Sequence, residues 1–332
     1  MLYININIGI LKIGNNTIKV NMVYTCFMGQ LKNDPEKTFP DLLKFAFLFF
    51  CLSLLAGCTG VKNVLPTEEN RFSGSVSVPL PARHLVFIGL DGWSGAYMSK
   101  ANMPTVKRMM AAGASSLYMQ CVMPSSSLPN WTVLFSGTPL EQQNREPFPS
   151  IFSLVNDSAG KNSAVLFYQS TDFQKLPFFE NVETRIISSD LESAKLIASC
   201  IAEMKPVFTA IVFDEPDATG HKKRWGSNAY YTKLSQMDNL IAHIEMAVKD
   251  AGIYDDTAFV LSADHGGAFW GHGQNTSKQR RIPIVIYGNM IKNGYAIPES
   301  LGIYDVAPTM AAILGLKAPP EWTGRIIPGI YK

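Results

Sequence analysis

Three short apolar segments of the chain each stop at acidic residues or histidine beside glycine. A short apolar run that ends abruptly in polar residues is typical of a strand buried in a parallel sheet. The carboxyl ends of parallel strands meet at one edge of the sheet, so we expect these polar side chains to be neighbours. The segments are residues 84–90, which end in Asp91-Gly92, residues 207–213, which lead into Asp214 through His221, and residues 258–262, which lead into Asp264-His265-Gly266.

Segments with helical periodicity separate these apolar runs. Alternation of strands and helices predicts an α/β fold, with a mostly parallel central sheet covered by helices on both faces. We expect one folded domain over residues 81–332. Further strands are expected at residues 163–168 and 283–287, and helices at residues 103–112, 192–204, 229–250 and 305–314.

The amino-terminal part of the chain has the layout of an export segment. Residues 45–55 are apolar, follow several lysines, and are too short to span a bilayer comfortably. The sequence Leu-Ala-Gly-Cys that ends at Cys58 resembles a bacterial lipobox, whose cysteine is acylated. We therefore expect residues 1–58 to be an export segment with a lipoprotein signal peptide, and residues 59–80 to be a tether. Residues 1–27 precede any plausible signal, and Met22 and Met28 are alternative starts that would leave them largely or wholly untranslated.

This layout predicts an exported protein of the bacterial cell envelope, anchored to a membrane through a lipid on Cys58. The alternative is an uncleaved membrane anchor. After processing only Cys121 and Cys200 would remain, too few for a disulfide framework, and whether they pair is open. The net charge of +2 arises from 29 basic and 27 acidic residues without a basic stripe, so binding to a nucleic-acid polymer is not expected.

The polar residues at the strand ends are those that bind metal ions. Each alone has an ordinary explanation, since Asp-Gly after a strand is often only a turn, whereas His84 and His243 are expected to be structural. Three of the five histidines, however, cluster with aspartates beside glycines. Asp and His suit Zn²⁺, and six such residues are enough for two sites. The set is Asp91, Asp217, His221, Asp264, His265 and His272.

A candidate nucleophile lies in the segment at residues 124–131. Pro129 fits the first turn of a helix at about residues 129–136, which would place Ser127 or Leu128 near its amino-terminal cap. An anion at that position would feel the positive end of the helix. The alternative is that the serines of this segment only cap the helix.

The order of these motifs resembles the alkaline phosphatase superfamily. Within it the chain looks most like the type I phosphodiesterase/nucleotide pyrophosphatase branch and its bacterial lipoprotein relatives. The resemblance covers roughly residues 84–328. It rests on Asp91-Gly92, a Pro-x-x-Ser-x-Pro-Asn segment at 124–130, Pro-Asp-x-x-Gly-His at 216–221, Asp-His-Gly at 264–266 and Gly-His-Gly at 271–273.

The resemblance implies a phosphoester hydrolase with two divalent metal ions, expected to be Zn²⁺. Ser127 would attack phosphorus and form a phosphoseryl intermediate that is then hydrolysed. Asn130 would either donate to the substrate oxygens or brace the loop, and Asn144 is a further candidate donor. The resemblance assigns one metal to Asp91, Asp264 and His265 with the Ser127 oxygen, and the other to Asp217, His221 and His272.

Two departures bear on the substrate, which we expect to be a small-molecule or a lipid- or glycan-linked phosphoester. The branch usually has threonine where Ser127 stands and an aromatic residue at the Leu128 position, which weakens the case for a nucleotide. Lys222, Lys223 and Arg224 directly follow His221, and either contact an anionic group or form a solvated turn.

Three alternatives remain at this stage. A sulfatase would need an arginine at position 131, where this chain has Trp131. A transferase would pass a phosphate-bearing head group to a glycan through the same covalent intermediate. A non-catalytic lipoprotein that binds a surface would not need Ser127 and the six Asp and His residues to be intact.

Overall fold

The computed structural model describes the backbone of residues 3–13 and 16–25, and the full residues 81–143, 148–178, 182–298 and 300–332. The chain divides into two compact units, residues 1–75 and 76–332. In the first unit, β1 (Tyr3–Ile13) pairs with β2 (Asn16–Thr25) as an antiparallel hairpin. The predicted lipidation at Cys58 and the tether at 59–80 lie outside the described residues and stay predictions.

The second unit is built on an eight-stranded sheet with the order β10-β4-β9-β8-β3-β7-β5-β6. Its pairings are parallel, except that β9 is antiparallel to both of its neighbours. The mostly parallel sheet is therefore confirmed. The strands are β3 (His84–Leu90), β4 (Ala114–Gln120), β5 (Ala164–Tyr168), β6 (Glu183–Ile186), β7 (Phe208–Phe213), β8 (Thr257–Ser262), β9 (Arg281–Tyr287) and β10 (Tyr295–Ala296).

The helices cover the sheet in two groups whose members contact one another. One group contains α1 (Pro104–Ala111), α4 (Leu191–Met204), α5 (Asp217–Lys223) and α6 (Asn228–Asp250). The other contains α2 (Ser127–Ser136), α3 (Ile151–Ala159) and α8 (Val306–Ile313). The short α7 (Ser277–Arg280) precedes β9. The α/β fold class is confirmed.

The central strands form because their side chains are buried on both faces. Every residue of β7 and β8 is buried, as is all of β3 except its first residue. Such strands have no solvent face that would require polar alternation. They carry the carboxylates of the candidate site on a rigid support.

Close packing between α2 and β3 places the candidate nucleophile. A Cβ atom on Gly89 of β3 would lie 2.5 Å from the Trp131 ring of α2, so only glycine permits this approach. Trp131 stacks on Phe135 with ring centroids 6.0 Å apart, and Phe135 packs against Phe87 of β3 at 5.3 Å. Burial of each such ring contributes roughly 2–3 kcal/mol. Helix α2 is thereby held against the strand that ends at the site.

The long helix α6 fixes the start of α1. The buried carboxylate of Asp238 accepts hydrogen bonds from the backbone nitrogens of Thr105 at 3.0 Å and Val106 at 2.9 Å. These are amide groups that a helix start leaves without partners, and an anion there is favoured by the helix dipole. Within the described part of the chain, no helix combines the length and the apolar character needed to cross a membrane.

Candidate active site

The polar residues meet at the carboxyl ends of three adjacent strands. β3 lies between β8 and β7, so Asp91 stands between the residues that follow those two strands. Gly92 makes the tight crossing possible, because its φ is +69° and a Cβ there would lie 2.8 Å from a carboxylate oxygen of Asp217. The Gly92 nitrogen donates to Asp264 Oδ1 at 3.2 Å. The structure thus brings the strand-end residues together as predicted. Asp91-Gly92 forms part of the site and is not merely a turn.

Ser127 lies against the first group of expected ligands. It is the first residue of α2, two residues before the expected start, and its Oγ donates to Asp91 Oδ1 at 3.3 Å. The same oxygen lies 3.1 Å from Nε2 of His265. That nitrogen is 3.3 Å from Asp264 Oδ2. A half-buried hydroxyl therefore touches two buried side chains that could also bind a cation.

The second group lies on α5 and on the loop after β8. Asp217 and His221 are one helical turn apart, with Oδ2 and Nε2 separated by 3.4 Å, and His272 Nε2 is 3.7 Å from Asp217 Oδ1. The ligand atoms of Asp91, Asp217 and His265 also lie within 4.8 Å of one another. Asp217 therefore lies between the two expected sets and is not confined to one of them.

All three imidazoles are oriented in the same way. The Nδ1 of each ring faces a backbone carbonyl oxygen, which in the neutral ring places the proton on Nδ1 and directs Nε2 into the site as an acceptor. Burial lowers the pKa of His265 and of His272 to about 4, so both rings stay neutral. Neutral rings with free Nε2 are the form that binds metal. The carbonyl partners are Trp270 for His221, Gly266 for His265 and Ser125 for His272, each at 2.9 Å.

The pKa values of the carboxyl groups are shifted in the opposite direction, upward. Burial, together with the charge of neighbouring carboxylates, raises the pKa of Asp217 to about 9 and that of Asp264 well above its usual range. Burial raises the pKa of Asp91 to about 6, although hydrogen bonds oppose the shift. Asp217 Oδ1 and Asp264 Oδ2 are buried without a hydrogen-bond partner among the described residues. Such oxygens are costly to bury, and a bound cation would satisfy them.

The structure adds two residues that the sequence did not single out. Trp131 Nε1 donates to Asp91 Oδ2 at 3.1 Å and so fixes that carboxylate. Ser125 orients His272 through its carbonyl, and its Oγ accepts from the Gly273 nitrogen at 3.0 Å. The only sequence signal was that both flank Ser127 in one short motif.

The two asparagines have different outcomes. We expected Asn130 either to donate to the substrate or to brace the loop, and its hydrogen bonds correspond to bracing. Its Oδ1 accepts from the Val122 nitrogen at 2.8 Å, and its Nδ2 donates to the carbonyl oxygens of Pro124 at 3.0 Å and Ser126 at 2.9 Å. These hydrogen bonds favour the positioning role, because the loop backbone already uses the Asn130 amide. Asn144 lies outside the described residues.

Comparison with known proteins agrees with this geometry. The sequence model of the type I phosphodiesterase / nucleotide pyrophosphatase family matches residues 85–143 and 154–276, more than half of the chain. The chain belongs to this family. The matched ranges contain Ser127 and all six Asp and His residues of the site, and the family membership confirms the resemblance to the alkaline phosphatase superfamily.

Curated relatives of this phosphodiesterase-family chain match over about one third to two thirds of its length. GPI ethanolamine phosphate transferase 1 of Emericella nidulans is 30% identical over 133 residues, which are 33% of this chain and 14% of the relative. The 2,3-bisphosphoglycerate-independent phosphoglycerate mutase of Yersinia pestis is 24% identical over 232 residues, which are 65% of this chain and 42% of the relative. The chain thus spans less than half the length of these relatives.

Solved structures show the same fold. A 2-O GAG sulfatase superposes with a TM-score of 0.64 at 14% identity, covering 74% of this chain and 73% of that one. Murine ectonucleotide pyrophosphatase/phosphodiesterase 5, solved in complex with AMP, superposes with a TM-score of 0.59 at 12% identity, covering 72% and 96%. At these identities the likeness establishes the fold and not the substrate.

Proposed function

We propose that this phosphodiesterase-family protein is a phosphoester hydrolase that cleaves phosphodiesters through a phosphoseryl intermediate on Ser127. The observation that carries the proposal is the position of the Ser127 hydroxyl, 3.1 Å from His265 Nε2 and 3.3 Å from Asp91 Oδ1, at the start of α2. A serine hydroxyl placed among such groups can lose its proton to a neighbouring base and attack phosphorus.

The donor set fits two divalent cations. Zn²⁺ takes carboxylate oxygens and imidazole nitrogens as ligands. The site offers both, as the buried oxygens of Asp217 and Asp264 that lack partners and the Nε2 atoms of the three imidazoles. We assign Asp91, Asp264 and His265 with Ser127 to one ion and Asp217, His221 and His272 to the other, with Asp217 adjacent to both. When bound, such ions would supply the positive charge that favours a serine alkoxide and stabilises charge on the leaving oxygen.

The protein's own groups set the course of the reaction. Ser127 Oγ forms the new bond to phosphorus while the bond to the leaving oxygen breaks, and that oxygen departs with a proton. Water then cleaves the phosphoserine bond and restores the hydroxyl. The side chain of Ser126 makes no capping hydrogen bond, so the first turn of α2 can direct its backbone N–H groups and positive end toward an anionic oxygen.

The surroundings of Ser127 favour diesters over monoesters. A monoester carries one more negative charge than a diester and is helped by nearby cations, but no Lys or Arg occurs between residues 109 and 144. Leu128, next to the nucleophile, is 38% exposed, and Met123 is 44% exposed. An apolar border of this kind suits the second ester group of a diester.

One purified preparation tests the proposal. The protein is dialysed against chelator, restored with Zn²⁺, and assayed with a p-nitrophenyl phosphate monoester, a diester and a sulfate ester. We expect activity only with metal, fastest on the diester and slowest on the sulfate. Ser127→Ala should abolish turnover, whereas Ser126→Ala, one residue away, should not. Acid quenching during turnover should trap phosphate on Ser127, and a sulfate preference would instead support a sulfatase.

A transferase is the second candidate, because GPI ethanolamine phosphate transferase 1 is 30% identical to this chain over 133 residues. Both reactions share the phosphoserine and differ in the acceptor. Adding an alcohol or sugar acceptor at millimolar concentration during diester cleavage distinguishes them. A hydrolase releases phosphate or its monoester, while a transferase diverts most of the group to the acceptor.

We also propose that the protein is exported and held at a membrane of the cell envelope by a lipid on Cys58. The support is the apolar run at 45–55, the preceding lysines and the Leu-Ala-Gly-Cys motif. Under this proposal the substrate is a phosphoester that reaches the envelope, either free or linked to lipid or glycan. Mass spectrometry of the mature amino terminus tests it, since a peptide that begins before residue 58 would contradict processing.

A further inference from the structure

A pocket of about 380 Å³ lies beside the candidate site, and Trp225 is one of the residues that line it. The Trp225 ring packs against His221, with ring centroids 5.0 Å apart, and against His272 at 6.1 Å. Its Nε1 donates to the Gly92 carbonyl at 3.0 Å, which fixes the indole in place. The pocket therefore shares a wall with one proposed ligand set but contains none of its members.

Three cations line the pocket, and none of the described residues that line it is acidic. The cations are Lys100, Arg224 and Lys278, all of them exposed. None has a carboxylate partner among the described residues. Three cations without carboxylate partners give the pocket a positive charge. An anion bound there would be attracted by all three.

Aromatic rings provide the remaining surface. Tyr97 and Tyr231 are half-buried with ring centroids 6.4 Å apart, and the Lys278 ammonium lies 5.9 Å from the centre of the Tyr97 ring. The Tyr97 hydroxyl donates to the Gly267 carbonyl oxygen at 3.2 Å, which fixes the ring, and half-buried tyrosine rings offer contact area to a ligand at a low cost in entropy. A ligand that carries both a ring and an anionic group would use both kinds of surface.

The third ring is held by a strained backbone. Phe269 has a φ of +56° although it is not glycine, and its side chain is 70% exposed. Hydrogen bonds fix this turn, between Ala268 and Gly271 at 2.9 and 3.1 Å and from the Trp225 nitrogen to the Phe269 carbonyl at 2.8 Å. A left-handed conformation costs a non-glycine residue about 1–2 kcal/mol. Strained residues cluster at active sites and ligand clamps, and here the strained residue carries an exposed ring that lines the pocket.

We propose that this pocket binds a ring that bears sulfate or phosphate groups, with the oxyanion among Lys100, Arg224 and Lys278 and the ring against Tyr97, Tyr231 and Phe269. Its volume is within the range of small-molecule sites. The oxyanion comes either from a soluble sugar or from the head group of an anionic lipid. The assignment is independent of the chemistry at Ser127.

Binding of naphthalene-1,3,6-trisulfonate tests the pocket directly. This fluorescent ring has three anionic groups and no ester that the protein could hydrolyse. In a titration of the metal-loaded full chain, Arg224→Gln and Lys278→Gln should each weaken binding by roughly five- to tenfold, the loss of one charge-assisted contact. Lys292→Gln is the matched control, since that lysine lies 5.3 Å above the ring of Tyr295 elsewhere on the protein. It should change affinity less than twofold.

A second variant separates binding from folding. Phe269→Gly relaxes the strained φ and removes the ring, so it should raise the Tm while weakening the trisulfonate complex. Binding to phosphatidylinositol vesicles, whose head group is a ring that bears phosphate, is compared with binding to phosphatidylcholine vesicles and identifies the source. Loss of that binding in the Arg224 and Lys278 variants supports a lipid head group, and unchanged vesicle binding with weakened trisulfonate binding supports a soluble ligand. The proposal would be overturned if both charge variants bound trisulfonate and vesicles with the same affinity as the parent protein.

Discussion

Replacing Asp217 with asparagine removes the carboxyl group that lies between the two proposed ligand sets while keeping its size. The folded protein raises the pKa of this group to about 9, from 3.8 for an ordinary aspartate, chiefly through burial. Between those values the folded state holds a proton that the unfolded chain releases. Stability without metal must therefore fall as pH rises through this interval, by about 1.4 kcal/mol per pH unit.

Asparagine does not take up a proton, so Asp217→Asn should remove this loss of stability with rising pH. Over the two units between pH 6 and pH 8 alone, the loss is about 3 kcal/mol. For a domain of this size that corresponds to roughly 6–12 °C in Tm. In chelator at pH 8 the variant should be more stable than the parent, and the difference should shrink as pH is lowered toward 5.

With Zn²⁺ present, the parent should be more stable than the variant. The parent gains about 2.7 kcal/mol at a free metal concentration one hundred times its Kd, while the variant has lost an anionic ligand and gains less. Thermal unfolding of both proteins at several pH values, with chelator and with Zn²⁺, measures all four states. A variant less stable than the parent in chelator at pH 8 would refute the charge-burial argument. Equal stabilisation of both by zinc would refute the place of Asp217 among the ligands.

Other perturbations give separate tests. Ser127→Ala should lower kcat by at least about a thousandfold while the Tm changes little, because a half-buried hydroxyl is removed; wild-type turnover in this variant would exclude the nucleophile. Trp131→Phe keeps a ring in the core but leaves a buried Asp91 oxygen without its donor, so thermal unfolding should show a loss of about 1–3 kcal/mol and diesterase activity should fall. His221→Ala and His265→Ala should each reduce the bound metal measured by elemental analysis, and full occupancy in both would contradict the assignment. Cys58→Ala should move the protein from the membrane to the soluble fraction or leave it unprocessed, and unchanged partitioning would speak against lipidation.

The buried strands could be read from the sequence, whereas the partly exposed ones could not. β3, β7 and β8 are continuous apolar runs because helices cover both faces, and their bounds agree with prediction to within one residue. β4 alternates buried and partly exposed residues and contains two serines, and β6 has no fully buried residue. Their pairing with neighbouring strands, more than their own composition, makes them strands. α5 was missed because it is short, polar and contains Gly220.

The residue types and order of the site were evident in the sequence alone, since Asp and His at the ends of apolar strands can meet only at one sheet edge. The tertiary structure decided the distances. It placed Asp217 between the two sets, turned each imidazole by a carbonyl hydrogen bond, and committed the Asn130 amide to its own loop. It also assembled the pocket beside Trp225 from residues at positions 97, 224, 231, 269 and 278, which have no common motif. A strand run is a local property that burial imposes on consecutive residues, while a pocket depends on which distant side chains the packing of helices and loops brings together.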